Sequence, residues 1–171
     1  MKLEGKEVFL TPLSINELSG NYISWLNDQE VCRYNSHGER EYTYADAKNF
    51  ISSLHGDERK EVYAVYVEAD RVHIGNVSLQ SIDKKNHSAE VAMLFGEIHY
   101  WNKGYATESM KLLIERAKFL QLHRLYFGTH EGNIAMQRLG EKVGFTREGL
   151  LRGAQFKDGR YVDVFIYGLI I

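Results

Sequence analysis

The sequence predicts one α/β domain of the α+β type, in which helices flank a central sheet. Segments with an apolar period of two alternate with segments of helical period along the 171 residues. Three strand-like segments between residues 62 and 95 are joined by short polar turns, which indicates an antiparallel meander. No linker, repeat or low-complexity segment divides the chain, so residues 1–171 are expected to form a single domain.

Composition argues against several functional classes. With 21 Lys and Arg against 23 Asp and Glu, the net charge of −2 gives no global attraction to nucleic acid or to an anionic membrane. Cys32 is the one cysteine, which excludes an intrachain disulfide and fits a reducing compartment. No cluster of His, Cys and Asp has the spacing of metal ligands, so no metal is expected. No apolar run approaches the roughly 20 residues of a membrane span, and we expect a cytoplasmic protein.

The first third of the chain predicts one strand and two helices. Residues 7–12 alternate and end at the only proline, and Ser14 begins a Ser-Ile-Asn-Glu capping box. The apolar residues that follow, up to Leu26, have helical spacing, so one helix is expected there. Residues 36–42 are polar and aperiodic, which indicates a loop, and Thr43 caps the second helix.

The rest of the chain predicts strands and helices in alternation. Strands are expected over residues 62–67, 72–80, 89–95 and 124–129. A helix is expected over residues 107–121 and another after Asn133. Residues 148–156 and 161–171 form a hairpin with an Asp-Gly turn. Gly75 lies inside a predicted strand and indicates a bulge or a close approach of another group.

One loop in this pattern predicts a phosphate site. Residues 100–108, Tyr-Trp-Asn-Lys-Gly-Tyr-Ala-Thr-Glu, connect a strand to a helix. Gly104 allows a tight turn and a close ligand, and the first amides of a helix have no intrahelical acceptor. Such an N-terminus binds phosphate or pyrophosphate, and Lys103 adds a positive charge. The patterns of the Walker loop and of the dinucleotide fingerprint are both absent.

The loop resembles the acetyl-CoA loop of the GNAT N-acetyltransferase superfamily, Gln/Arg-x-x-Gly-x-Gly/Ala. Trp101 stands at the first position, followed by Gly104 and Ala106, and the Trp is typical of the branch that resembles RimJ/RimL protein N-acetyltransferases. A second block, residues 133–145, is similar to the family's Asn-x-x-Ser-x-x-x-x-Glu-Lys-x-Gly-Phe. The resemblance covers roughly the whole chain and is weakest before residue 60.

This resemblance implies a central mixed, mostly antiparallel sheet of about seven strands, splayed at the cofactor site. Acetyl-CoA is then the co-substrate, and its pantetheine arm binds the backbone of the strand before the loop. The residues implied to bind acetyl-CoA are Met93, Leu94, Phe95, Asn102, Lys103, Gly104, Tyr105, Ala106, Thr107 and Asn133. For Asn133, a helix N-cap is an equally good explanation.

The same resemblance implies direct attack of an amine on the thioester, with a carboxylate as base. Glu90 matches a Glu that many relatives carry, although an ordinary half-exposed strand also explains it. Glu97 is the second choice and His99 the third. The family's helical Tyr, a general acid, is replaced by Gly140 and the family's Ser by Met136. A water, or a Tyr from elsewhere such as Tyr161 or Tyr167, would have to replace that acid.

The acceptor side is implied to lie at the first two helices and the tail. Its candidate residues are Trp25, Arg33, Asn35 and Asp163, with core packing as the alternative for Trp25 and core or interface pairing for Asp163. Tail strands line either the acceptor side or a homodimer contact in the family. The acceptor is then an amino sugar, a polyamine or an antibiotic. The alternatives are the protein N-terminal acetylation of RimJ/RimL relatives and a non-catalytic sensor of acetyl-CoA.

Overall fold

The sheet of this protein has eight strands in a single layer. The computed structural model describes residues 1–37 and 39–171. The strands are β1 (Leu3–Glu4), β2 (Val8–Pro12), β3 (Glu61–Val67), β4 (His73–Asp83), β5 (Ser88–Phe95), β6 (Arg124–His130), β7 (Thr146–Lys157) and β8 (Arg160–Ile170). Their spatial order is β1-β2-β3-β4-β5-β6-β8-β7. The additional strand, β1, has two residues and is too short to produce a sequence pattern.

The helices are α1 (Tyr22–Asn27), α2 (Tyr44–Ser53), α3 (Tyr105–Phe119) and α4 (Ile134–Lys142). The prediction of one helix from Ser14 to Leu26 was wrong, because Gly20 has extended backbone angles and separates a 3-10 turn, Ile15–Ser19, from α1. The predicted capping box at Ser14 is confirmed, and Thr43 caps the second helix as predicted, in a capping box with Asp46. Among the helices of the described residues, none is both long and apolar enough to cross a membrane.

Two apolar cores cover the two faces of the sheet. The first lies under α3 and α4 and contains Met110 and Leu113 together with residues of β2 to β6 and of β8. The second lies under α1 and α2 and contains Trp25 and Ile51. We call the sheet surface beneath the second core the α1/α2 face. Along β5, Val91 packs into the first core and Leu94 against the second, so successive residues alternate between the two faces.

The sheet divides between β5 and β6. Among the described strands, these two are the only parallel neighbours, and three residue pairs join them, the last of which is Glu90 with Tyr126. Beyond that pair, β5 continues to Phe95 and β6 to His130 without pairing to each other. The splayed, mostly antiparallel sheet implied by the sequence is therefore confirmed. We call the space between the diverging strands the strand gap.

A half-buried ion pair joins α3 to the sheet on the side of β3. The Arg116 guanidinium donates from Nε to Glu61 Oε2 at 2.8 Å and from Nη2 to Glu61 Oε1 at 2.6 Å. The Tyr63 hydroxyl donates to the same carboxylate at 2.7 Å. Burial raises the pKa of Glu61, but the hydrogen bonds from Arg116 and Tyr63 outweigh it and hold the pKa below its ordinary value.

Replacing Arg116 by Ala is expected to lower the free energy of unfolding by about 2 kcal/mol, because the Glu61 carboxylate loses its partner while it stays half-buried. Denaturant unfolding measures this. Since the pKa of Glu61 is lowered on folding, the wild-type advantage is present above the unfolded pKa of about 4.3 and is lost as the pH falls through the folded value. Arg71→Ala breaks the exposed pair with Glu68 and serves as the control, with an expected loss of about 0.5 kcal/mol or less. Equal losses in the two variants would contradict the assignment.

Candidate active site

The strand gap exposes backbone groups of β5 that no other strand uses. The Gly96 N–H donates to the Ile74 carbonyl of β4 at 3.0 Å. In an antiparallel ladder this direction alternates, so even-numbered residues of β5 turn their N–H and C=O toward β4 and odd-numbered residues turn theirs toward the gap. Met93 therefore presents its N–H and its C=O to the gap, whereas Phe95 presents its N–H, because its carbonyl accepts a hydrogen bond from Trp101. Leu94, the third predicted cofactor residue on β5, uses its backbone on β4 and packs its side chain against the second core.

The predicted phosphate loop closes the open end of the gap. Trp101 donates from its indole Nε1 to the Phe95 carbonyl at 3.0 Å, which folds the loop back onto the end of β5. The Trp that departs from the general family pattern thus fixes the loop to the strand. Asn102 and Gly104 both have positive φ, at 61° and 91°. A Cβ added at Gly104 meets no atom within 4 Å, so this turn faces open space.

The start of α3 presents free amides to that space. The first intrahelical bond runs from the Glu108 N–H to the Gly104 carbonyl, so the N–H groups of Tyr105, Ala106 and Thr107 have no intrahelical acceptor. The positive end of the helix dipole adds to their attraction for anions. Lys103 is exposed beside them, with Nζ 5.0 Å from the centre of the Tyr100 ring. These groups fit a pyrophosphate.

Glu108 does not oppose a bound phosphate, although it lies in the first turn of α3. Its carboxylate accepts hydrogen bonds from the N–H groups of Lys6 and Glu7, the latter at 3.0 Å. It also lies against Gly5, where a Cβ would overlap it. The side chain therefore points toward the turn between β1 and β2 and ties that turn to α3.

Glu90 lies at the closed end of the strand gap. It belongs to the last pair that joins β5 to β6 and is half-buried. Its side chain shares the α1/α2 face with Leu94, because residues four apart on a strand point the same way. Ala92 lies between them on this face and leaves room above the strand. Within the described residues, the Glu90 carboxylate makes no hydrogen bond or ion pair, so it is available to a ligand.

The second-choice base, Glu97, is already engaged. Its Oε1 accepts hydrogen bonds from Trp25 Nε1 at 3.0 Å and from Asn21 Nδ2 at 2.8 Å. Trp25 is only 3 % exposed and lies so close to Gly96 that any Cβ there would overlap the indole. Trp25 is therefore packed in the core, which is the alternative given for it. Its one polar side-chain atom, Nε1, donates to Glu97. His99 is exposed on a 3-10 turn, Ile98–Tyr100.

The segment after α1, residues 28–37, crosses to the far side of the gap, and we call it the crossing segment. Asn35, a predicted acceptor residue, accepts from the His37 N–H at its Oδ1, at 2.8 Å, and from Lys157 Nζ at its backbone carbonyl, at 3.1 Å. The Tyr34 ring packs against His130 with ring centres 5.1 Å apart. Arg33 is exposed. This segment thus bridges from α1 to β6 and β7 over the α1/α2 face.

Sequence reasoning missed Lys157 and His130. Lys157 is 8 % exposed, and its ammonium is held by backbone carbonyls of the crossing segment. No signal in the sequence marks it, because its partners are main-chain atoms about 120 residues away. His130 is 7 % exposed and accepts from the Gly132 N–H at Nδ1, at 2.8 Å. Its position two residues before a glycine at a strand end is a weak signal for such a bond.

Several predicted residues lie away from the gap. Asp163 accepts from the Gly153 N–H at 2.8 Å and so supports the irregular part of β7. Tyr167 is buried on the α3/α4 side, where its hydroxyl donates to Glu141 at 3.1 Å, and Tyr161 is 73 % exposed. Neither Tyr is placed to act as the general acid.

Two further predicted positions, Gly140 in α4 and Asn133 at its N-cap, also have structural explanations. Gly140 allows α4 to approach Phe127, since a Cβ there would lie 2.5 Å from the Phe127 Cζ. The Phe127 ring therefore occupies the space beside this position. Asn133 caps α4 by accepting from the Met136 N–H at 3.2 Å, which is the alternative given for it.

Comparison with known proteins defines the class. The family model of the acetyltransferase (GNAT) domain matches residues 7–146. The uncharacterized N-acetyltransferase YnaD of Bacillus subtilis is 26% identical over 171 residues, 99% of this chain and 97% of the relative. The spermidine N(1)-acetyltransferase of Vibrio cholerae is 31% identical over 131 residues, 74% of this chain and 73% of the relative.

Solved structures agree with this class. The structure of RimL, the ribosomal L7/L12 alpha-N-protein acetyltransferase, in complex with coenzyme A superimposes with a TM-score of 0.90 at 16% identity and covers 100% of this chain and 98% of that one. The chain belongs to the GNAT acetyltransferase family. It is an acetyl-CoA-dependent N-acetyltransferase, and acetyl-CoA is its co-substrate.

Replacing Gly104 by Ala is expected to weaken acetyl-CoA binding about tenfold or more, because the methyl group projects toward the phosphates and the positive φ is strained. Calorimetric titration with acetyl-CoA measures this. Gly159→Ala is the matched control, since Gly159 also has positive φ and open space around its Cβ position but lies at the hairpin turn. Both variants should lose about 1 kcal/mol of stability from strain, and the control should keep its affinity. A Gly104 variant with wild-type affinity would exclude the loop as the phosphate site.

Proposed function

We propose that this enzyme transfers the acetyl group of acetyl-CoA to the primary amine of a small molecule by direct attack. The observation that carries this is the position of the unpaired Glu90 carboxylate. It lies at the closed end of the strand gap, while the helix N-terminus of α3 lies at the open end. The distance between them suits a cofactor that spans the gap with its reactive end near Glu90.

The reaction requires a neutral amine and a place for developing negative charge. Acetyl-CoA supplies a thioester carbonyl, whose carbon forms a bond to the amine nitrogen while the bond to sulfur breaks. Glu90 takes the amine proton, directly or through one water, since an ammonium of pKa about 10.4 cannot attack. One of the two N–H groups that face the gap, that of Met93 or that of Phe95, is the preformed donor for the carbonyl oxygen, because the two lie about 7 Å apart along the strand and one oxygen cannot accept from both.

The α1/α2 face supports a small acceptor over a peptide. The crossing segment is held to β7 by Lys157 and to β6 by the Tyr34 and His130 contact, so this side of the gap is covered. A peptide N-terminus needs an open groove. Protein N-terminal acetylation remains the alternative, favoured by the likeness to RimL over the whole chain. A sensor role is the third reading, favoured by Gly140 in place of the family Tyr.

Two broader features belong to the same proposal. We place the enzyme in the cytoplasm, because its single thiol, Cys32, is buried and free, as expected in a reducing compartment. Residues 1–171 are proposed to act as one domain. The tail strands β7 and β8 are proposed as the site of any homodimer contact, because β7 is the edge of the sheet and exposes Leu150 and Leu151.

Release of the CoA thiol from acetyl-CoA tests the acceptor class across a panel of amines. The panel contains amino sugars, polyamines, aminoglycosides and peptides with Ala or Ser N-termini. Turnover with small amines is expected, and turnover with the peptides alone would establish the RimL-like alternative. If no amine reacts while calorimetry still shows acetyl-CoA binding, the sensor reading replaces catalysis.

Replacing Glu90 by Gln is expected to lower kcat about 100-fold or more, because the amide cannot accept the amine proton. Affinity for acetyl-CoA should stay within about twofold, since the backbone of β5 is unchanged. Glu97→Gln is the control, because Glu97 already holds Trp25 and Asn21 and is expected to affect KM more than kcat. Full activity of the Glu90 variant, or loss in the Glu97 variant alone, would transfer the role of the base to Glu97.

A further inference from the structure

A polar groove of about 460 Å³ lies beside Glu90, at the end of the sheet opposite the phosphate loop. Its walls include Ser88 and Tyr126, and its rim carries Arg59, Asp83 and Lys84. The mechanism above uses none of these residues. The groove therefore needs an explanation of its own.

The groove borders the proposed reaction centre through Tyr126 and Ser88. Ser88 precedes Glu90 by two residues on β5 and points to the same face, with the two Cα atoms about 7 Å apart. Tyr126 is the direct partner of Glu90 in the parallel pair and shares this face as well. A molecule whose amine reaches Glu90 from this side has its remaining atoms in the groove.

The charged side chains of the groove differ in whether other protein groups already pair with them. Lys84 forms an ion pair with Glu58. The Asp83 carboxylate accepts from the N–H groups of Lys85 and Asn86 at 2.8 and 2.9 Å and from Asn86 Nδ2 at 2.7 Å, so it is satisfied within its own turn. The Arg59 guanidinium has no carboxylate within ion-pairing distance among the described residues. Among the described residues, the groove thus presents one cation without an ion-pair partner, Arg59, and three hydroxyl groups, those of Ser81, Ser88 and Tyr126.

We propose that this groove is a subsite for an anionic group of the acceptor, a carboxylate or a phosphate, bound by Arg59. This inference rests on the proposed function and narrows its substrate class. A guanidinium offers two parallel N–H donors that match either oxyanion, and the hydroxyls of Ser88 and Tyr126 supply further donors. The acceptor is therefore an amine that also carries an anionic group. A polyamine, which carries only positive charge, does not match this subsite.

The test compares amines that differ only in the anionic group. The pairs are glucosamine with glucosamine 6-phosphate, ethanolamine with phosphoethanolamine, and propylamine with β-alanine, and spermidine represents the polycations. Arg59→Gln is expected to lower kcat/KM for the better anionic class about tenfold or more and to leave kcat/KM for the partners without an anionic group within about twofold. Arg59→Lys keeps the positive charge but lacks the two parallel N–H donors of the guanidinium, so the loss in kcat/KM should be intermediate. Folding is preserved in these variants, because the structural contact of Arg59 is made by its backbone carbonyl to the Ile82 N–H.

Lys85→Gln is the matched control. Lys85 is exposed on the turn next to Lys84 and is not part of the groove, so its loss changes the net charge equally without removing the proposed contact. If Lys85→Gln and Arg59→Gln weaken anionic amines equally, the effect is long-range attraction and the subsite is excluded. A wild-type preference for spermidine, or for the member of each pair that lacks the anionic group, also overturns the inference, while the proposed acetyl transfer stands.

Direct binding separates failure of the subsite from failure of the proposed function. Phosphoethanolamine and β-alanine are titrated by calorimetry into the wild-type protein saturated with CoA and into its Arg59→Gln variant. Saturable binding that the variant loses supports the subsite even if no amine turns over. Absence of binding by both anionic amines to the wild type overturns it. The class that binds, phosphate or carboxylate, identifies the oxyanion.

Discussion

The strand gap is the constraint on which the rest of the site depends. A sheet normally satisfies its backbone groups by pairing each strand on both sides. Here β5 and β6 share three pairs and then diverge, which leaves the N–H and C=O of Met93 and the N–H of Phe95 turned to open space. Those groups are available to a ligand because the ladder does not use them. The proposed binding place of the pantetheine arm is thus created by a break in regular structure.

The break is tolerated because the apolar core on one face is continuous beneath it. The first core joins Val77 and Val91, from the strands before the gap, with Leu125, Phe127 and Tyr167 from those after it. Within the described residues, the second core contains no residue of β6, β7 or β8. The gap is therefore closed on the α3/α4 side by packing and is bridged on the α1/α2 face only by the segment after α1. This asymmetry determines the side from which an acceptor can approach.

Glycines that lack a Cβ allow neighbouring side chains to approach closely, and these approaches position the polar groups of the site. Gly96 admits the Trp25 indole, whose N–H then holds Glu97. Gly5 admits Glu108, which withdraws that carboxylate from the phosphate loop. In each case a carboxylate near the gap is occupied by protein donors. Glu90 is distinguished by having none among the described residues.

The sequence by itself determined the local features. The phosphate loop, the caps at Ser14 and Thr43, the Asp-Gly hairpin turn and the order of strands and helices follow from residue types and spacing, because glycine, caps and apolar periods act over a few neighbours. The helix break at Gly20 was not visible, since the apolar spacing continues across it. Only the tertiary structure decided which carboxylate near the gap is free, which backbone groups of β5 face it, and that Lys157 holds the crossing segment. These depend on pairing register and on contacts between residues 72 to 122 positions apart, which no local pattern encodes.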